Sequence, residues 1–266
     1  MVDMTEDLTA FYLPIDEDVF ESTEATQSPW DFSLQHGGPP AGLLARAIDR
    51  ARPAEDMRIA RVTIDMLGGI PQGRMRTEAT VVRPGRRVEM IEAKLWADDR
   101  LAVTATAWRI RLSPDSTIEV NHEEAPATLP GEQPQHVFSG VDPSWGYGRA
   151  MEWRFVSGDY DSLGPALAWG RLRVPLVAGE TTSATAQLLT MADSANGLSV
   201  ELPMAEWFSI PSTLTATIQR APAGEWMLMD ARTSIGADGI GLTRAQVYDE
   251  RGFSAEIAQP LLVARR

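Results

Sequence analysis

Apolar residues recur with two different periods along this chain, and each period occurs twice. Within residues 42–51, Leu43, Leu44, Ala47, Ile48 and Ala51 fall on one helical face, while Arg46, Asp49 and Arg50 face away. That is the spacing of an amphipathic helix. Period two follows: ARVTIDM alternates Val62, Ile64 and Met66, and MRTEATVV, VEMIEAKLWA and LAVTATAWRI come after it. Pro-Gln-Gly, Pro-Gly-Arg-Arg and Asp-Asp-Arg turns separate them, so four strands are expected. The second half keeps the order. TTSATAQLLTMADSANG predicts a helix that starts at Thr182 or Ser183 and stops at Asn196-Gly197. Its strands are TLTATIQ, WMLMDART, IGLTRAQVY and FSAEIAQPLLV.

Turn residues suggest how the halves superpose. Pro71 with Pro222, Gly73 with Gly224, Gly85 with Gly236, Asp98 with Asp249 and Arg100 with Arg251 are all 151 positions apart, with no gap (224 − 73). Turns are where sequence dictates backbone most directly. Between the halves, residues 112–142 are rich in Pro, Glu, Gln and Ser and show no sustained period, which reads as a linker. The expected organisation is one unit over 11–111, a linker over 112–142 and a second unit over 143–266. Strands come in blocks and do not alternate with helices, so the class is α+β, two copies of a sheet wrapped around a central helix.

Composition narrows the chemistry. With a formal net charge of −13, the surface repels phosphodiester backbones and anionic lipid, so neither nucleic acid nor a membrane is the expected partner. The absence of cysteine removes disulfides, thiolate metal sites and cysteine nucleophiles. A start without a basic, then apolar leader and the lack of a long apolar run predict a cytoplasmic chain. His36, His122 and His136 have no metal-ligand spacing, and no metal or cofactor is expected. The chain also lacks a G-x-S-x-G elbow and a phosphate-binding P-loop.

The stretch QHGGPPAG at 35–42 stands directly before the first helix. Pro39 and Pro40 suit first-turn positions, and Gly37-Gly38 lets the backbone approach closely. Free amides there could hold an anion or the oxygen of a thioester carbonyl as it gains charge. Equally, the stretch could be a sharp turn capped by His36. Arg83, Arg86 and Arg87 in VRPGRRVEM form a cluster of local positive charge, either a phosphate-binding patch or solvated arginines around a turn.

QHGGPPAGLLARA, ARVTIDML and VRPGRR resemble the first half of a double hotdog thioesterase of the acyl-CoA thioesterase II type. MEWRFVSGDY, PLVAGE, LLTMADSANG, APAGEWMLMDART and AQPLLV resemble its second half. The resemblance spans residues 11–265. It implies hydrolysis of an acyl-CoA by directly attacking water, with no covalent acyl-enzyme and no cofactor. An aspartate late in the second helix, a hydroxyl on the next strand and a glutamine on the last strand would hold that water. Asp193 and Gln259 match two of these places, and Ser212 or Thr213 the third. Such a trio fits the chemistry, since a carboxylate can take a proton while a hydroxyl and an amide fix the water's direction. In the 151 register Gln259 aligns with Trp108, which could wall the acyl pocket but cannot orient water. Only one of the two equivalent half-sites is then catalytic. His36, Gly37 and Gly38 are expected near the substrate.

Pro260, which lacks a ladder N–H, is expected at an edge or bulge. Two other functions stay open. A hydratase or dehydratase on the same fold would pair His36 with Asp193 as acid and base, although Pro40 stands where the dehydratase pattern H-x-x-x-G-x-x-x-x-P has its glycine. A non-catalytic acyl-binding protein would keep the pocket and lose turnover. Two fused hotdogs already replace the dimer that single ones form, and a homo-oligomer of such units is left open.

Overall fold

A computed structural model describes residues 8–53, 56–113, 115, 118–121 and 124–266. In chain order its elements are β1 (Tyr12–Asp16), β2 (Val19–Ser22), β3 (Leu34–Gln35), α1 (Gly38–Ala51), β4 (Met57–Met66), β5 (Ile70–Pro71), β6 (Arg74–Arg83), β7 (Val88–Ala97) and β8 (Arg100–Arg111). After the connecting segment come α2 (Gly146–Ala150), β9 (Met151–Ser157), β10 (Ala166–Leu172), α3 (Ala184–Ala192), α4 (Ala195–Leu198), β11 (Trp207–Pro211), β12 (Thr213–Ile218), β13 (Met227–Ile235), β14 (Ile240–Asp249) and β15 (Gly252–Arg265). The eight strands expected from the two repeats all form. β1, β2, β9, β10 and β11 carry no alternation long enough to announce them; β1, for instance, buries only its first residue.

Thirteen of the strands join into one antiparallel sheet in the order β1-β2-β6-β7-β8-β4-β12-β15-β14-β13-β10-β9, with β11 also on β15, and β3 and β5 pair separately. The fold is α+β, a double hotdog in which each half of the sheet curves around its own helix. β4 and β12 pair at the centre and make the two halves continuous. Thr63 pairs with Thr215, and their hydroxyls are 3.1 Å apart. Arg61 faces Thr217 and Asp65 faces Thr213, so the approximate twofold axis of the repeat passes between the two threonines.

Strand registers set the repeat at 152, not 151 (215 − 63). Glu78 pairs with Lys94 as Asp230 pairs with Gln246, and Ile91 with Ala107 as Thr243 with Gln259. Even the β-bulge after Leu95 recurs after Val247. A shift of one residue moves every side chain to the opposite face of a strand. Gln259 therefore corresponds to buried Ala107, and Trp108 lies on the outer face under the Arg83 guanidinium, 5.6 Å from its ring.

α1 is buried from Gly38 to Ile48. Arg46, expected to face away, is inside because its guanidinium forks onto Glu180 at 2.8 Å and lies 4.9 Å over Phe20. The last carbonyls of α1 are satisfied by buried Arg109, which donates to Ile48 O and Arg52 O and pairs with buried Glu89 at 2.9 Å. Glycines on α1 let it lie directly on α3. A methyl group at Gly38 would stand 2.0 Å from Thr190 O, and one at Gly42 would stand 2.1 Å from Thr190 Oγ1.

The second helix starts as expected, with the Ser183 hydroxyl accepting from Ala186 N–H, but it breaks at Asp193 instead of running to Gly197. Tyr147 Oη donates to the Thr190 carbonyl that Ser194 N–H would take in a continuing helix. Ser194 N–H bonds Met191 O instead, which tightens the turn and ends the helix. Pro260 sits where β15 changes partner, from β12 at Ala258 to β11 at Leu261. The connecting segment covers the exposed edge strand β9. The amide side chains of Gln133 and Gln135 each donate to and accept from its backbone, at Phe155 and Trp153, and so occupy a strand's place. Among the described residues no helix is long and apolar enough to cross a membrane.

The helix contact yields a stability test. Gly42→Ala forces a methyl group against Thr190, and overpacking of this kind costs about 1–3 kcal/mol. Urea unfolding should show that loss, while Gly131→Ala, with nothing within 4 Å, should leave the midpoint in place.

Candidate active site

The antiparallel packing of α1 on α3 brings the start of one helix to the end of the other. His36 and Gly37 stand just before α1, and Asp193 caps the end of α3. His36 N–H bonds Thr26 O at 2.7 Å, and the neighbouring Gln35 is held by Tyr12 Oη and Pro71 O, so this entry to the helix is fixed from both sides. β15 runs beneath and delivers Gln259.

Asp193 is 5% exposed and Gln259 fully buried. Gln259 Nε2 donates to Asp193 Oδ1 at 2.8 Å. Only the NH₂ end of an amide can face a carboxylate, so Gln259 Oε1 must point away, and it is buried without a partner among the described residues. The other carboxylate oxygen, Oδ2, lies 3.3 Å from His36 Nδ1. Gly38 N–H donates to that same Nδ1 at 3.2 Å. The imidazole lies flat against the Tyr147 ring, centroids 3.8 Å apart, and Tyr147 Oη is 2.8 Å from Ser194 Oγ.

A cavity of about 410 Å³ opens beside these groups. His36, Gly37, Asp193 and Ser194 line it, and most of the remaining wall is apolar, with Trp30, Met66, Ile70, Phe138, Val200 and Ile210 prominent. It falls in the size range of small-molecule sites, and an apolar wall with a few convergent polar groups is their usual make-up. Burial holds the His36 imidazole below its ordinary 6.5, with the Asp193 charge opposing that shift. Burial also raises the Tyr147 phenol, so both rings are neutral near pH 7.

The structure thus brings together His36, Gly37, Gly38, Asp193 and Gln259. Ser212 lines the cavity, but its residue is exposed. Thr213 does not reach the cavity, because its hydroxyl donates to Ile64 O at 2.9 Å across the β4–β12 pair. Trp108 is on the outer face and walls no part of the cavity. Arg83, Arg86 and Arg87 sit at the β6–β7 turn, whereas the cavity lies near the other end of those strands, where Arg100 bonds Gly69 O. Ten residues of strand separate the two ends, about 33 Å. The basic groups beside the cavity are Arg100 and Arg266, whose guanidinium is 5.8 Å from the Trp30 ring. His136 packs edge-on against Tyr160, and His122 lies outside the described residues.

Sequence reasoning missed Trp145, Tyr147 and Ser194. The WGYG segment has no period to read, and long-range bonds such as Trp145 Nε1 to Gln27 O, Gly146 N to Gln27 Oε1 and Tyr147 Oη to Thr190 O bring it beside His36.

Comparison with known proteins supplies the family. The acyl-CoA thioesterase N-terminal domain matches residues 26–110 and the acyl-CoA thioesterase C-terminal domain matches residues 122–263. The chain belongs to the acyl-CoA thioesterase family. As a member of it, the chain is a thioester hydrolase. No curated protein matches it in sequence. Among solved structures, it is similar to a protein described as a thioesterase II from Thermobifida fusca, with a TM-score of 0.70, 18% identity and coverage of 96% of this chain and 95% of that one. A hot dog fold protein of unknown function from Alicyclobacillus acidocaldarius gives 0.66 at 16% identity, covering 95% of both chains. The acyl-CoA thioesterase II TesB2 of Mycobacterium marinum gives 0.67 at 14%, covering 96% of this chain and 95% of that one. At such identities the likeness is one of fold.

The other end of the helix pair is built differently. There the start of α3 meets the end of α1, and Arg46 and Arg50 both pair with Glu180, at 2.8 Å and 3.1 Å. A cavity of only about 130 Å³ remains, and Ala107 stands at the position equivalent to Gln259.

The state of His36 has a measurable consequence. Because its folded pKa is lowered, the unfolded chain binds more protons between that value and 6.5, so stability falls as pH drops through this window. Urea unfolding from pH 8 to pH 5 should show a smaller loss for His36→Gln than for wild type. Equal losses would place the acid sensitivity elsewhere.

Proposed function

We propose that this chain hydrolyses the thioester of an acyl-CoA with a water molecule activated by Asp193, whose carboxylate Gln259 holds in place. The observation that carries this reading is the Asp193 carboxylate at the wall of an apolar cavity, fixed at 2.8 Å by the amide nitrogen of fully buried Gln259, which lies behind it and does not itself line the cavity. Asp193 takes the proton as the water oxygen attacks the thioester carbon. The apolar cavity takes the acyl group, and Arg100 and Arg266 stand nearest it for the phosphates of CoA. Of the two hydroxyl candidates, Ser212 lines the cavity and could contact this water, whereas the Thr213 hydroxyl is bonded to Ile64 O.

The proximity of His36 to Asp193 favours a second reading, the addition of water to an enoyl thioester with the pair as acid and base. The two reactions differ in product. Thiol release from a panel of acyl-CoAs of increasing chain length, followed with a thiol-reactive dye, is expected for wild type. Asp193→Asn should lower kcat/KM by about 10²–10⁴-fold, and Gln259→Leu should lower it as well. Full activity in a folded Asp193→Asn variant would remove the proposed role of that carboxylate. Loss of enoyl absorbance without thiol release would establish the hydratase, and tight ligand binding without either product would indicate an acyl-binding protein.

A further inference from the structure

The reading above leaves His36 without a task, although it is 9% exposed, lines the cavity and is held on three sides. Gly38 N–H donates to Nδ1, Tyr147 stacks on the ring face, and Asp193 Oδ2 stands 3.3 Å from Nδ1. A nitrogen that accepts a hydrogen bond carries no proton of its own. In a neutral imidazole the proton is then on Nε2, and Nε2 has no partner among the described residues, nor is it sealed among the buried unpartnered atoms. The ring therefore presents one N–H donor to the cavity, with its tautomer fixed by the first amide of α1.

The helix start needs such a donor. Pro39 and Pro40 have no N–H, and Gly38 N–H is spent on His36, so of residues 37–40 only Gly37 keeps an amide free. One amide is a thin site for an oxygen that becomes negative in the transition state, where two or more donors are usual.

We propose that neutral His36 donates from Nε2 to the thioester carbonyl oxygen, and so is a catalytic residue of the hydrolysis. This inference rests on the proposed acyl-CoA hydrolysis. In the step, a water O–H bond breaks and its proton goes to Asp193 Oδ2. The water oxygen bonds the carbonyl carbon, and the C=O π pair moves onto oxygen, which His36 Nε2–H and Gly37 N–H stabilise without proton transfer. Collapse restores C=O, breaks C–S and sends that pair to sulfur, which takes the proton from Asp193. The products are the acid and CoA thiol.

Asp193, from the end of α3, and Tyr147, from α2, are the titratable side chains that face this ring. Burial keeps the imidazole neutral below its ordinary 6.5. At lower pH a proton on Nδ1 would displace the Gly38 bond, pair with Asp193 and weaken it as a base, so kcat/KM should fall on the acid side.

Two measurements test the assignment. Long-range ¹H–¹⁵N NMR on the full chain, which has three histidines, reads the tautomer of His36 directly, with His36→Gln providing its assignment. The expected result at pH 7.5 is a neutral ring protonated on Nε2; a proton on Nδ1, or an imidazolium, overturns the proposal whatever the kinetics. For activity, His36→Phe keeps the stack on Tyr147 but has no donor, and kcat should fall about 10²–10³-fold with KM little changed. His36→Gln, whose amide N–H reaches the place of Nε2, should recover part of that loss. Unchanged kcat in folded His36→Phe overturns the role of His36 and leaves the thioesterase reading intact. That reading fails on different evidence, the activity of Asp193→Asn.

Discussion

Two glycines one helical turn apart on α1 let its backbone rest on α3 with no side chain between them. At Gly38 and Gly42 the space for a methyl group is already filled by Thr190. The contact decides which residues can meet. With the helices antiparallel and this close, His36 and Gly37 reach the carboxylate at the end of α3, and the ideal Cβ of Gly37 would be 2.9 Å from Asp193 Oδ2. A side chain at Gly38 or Gly42 would collide with Thr190 and force the helices to shift. The helix ends close by: the Thr190 carbonyl accepts from Tyr147, and Ser194 N–H turns to Met191 O, so α3 stops at Asp193.

An approximate twofold axis between Thr63 and Thr215 would place a like site at each end of the helix pair, yet the two ends have diverged. One has a cavity, a carboxylate and an amide. At the other, Arg46 and Arg50 close on Glu180, and alanine stands in place of glutamine. These pairs are only partly buried, with Glu180 29% and Arg50 47% exposed, so they act more by filling this end than by adding net stability. A closed end of this kind fills space that an apolar side chain would have to fit precisely in shape, and it leaves a single site per chain.

Much of this was legible in the sequence and some was not. The eight alternating strands, the two helices and the α+β class follow from periods that local sequence carries. Asp193 and Gln259 were found through resemblance, and the fold brings them into contact. The repeat register was misread by one residue because the matched positions were turns, where Gly, Pro and Asp recur for reasons of backbone conformation whichever residue is truly equivalent. In a sheet that single step is decisive, since it exchanges the faces and set outward Trp108 opposite inward Gln259. The arginines of VRPGRR illustrate a different limit. Charge clustering is local in sequence, but which end of a strand faces a cavity is a property of the whole sheet, and the arginines that contact cavity-lining residues are Arg100, at Gly69 O, and Arg266, at the Trp30 ring.

The QHGGPPAG stretch shows how one segment can satisfy several constraints together. Its glycines serve the helix contact, and its prolines start the helix without leaving unsatisfied amides in an apolar wall. The same prolines strip the helix start of the donors that usually make such a place attractive to an anion. A neutral histidine directly before them, anchored through Nδ1 by the first amide that remains, restores a donor at a fixed position. It does so without a net positive charge, which would otherwise pair with Asp193 and quench it. Burial and the single amide act together here, since burial favours the uncharged ring and the Gly38 amide favours the tautomer with its proton on Nε2.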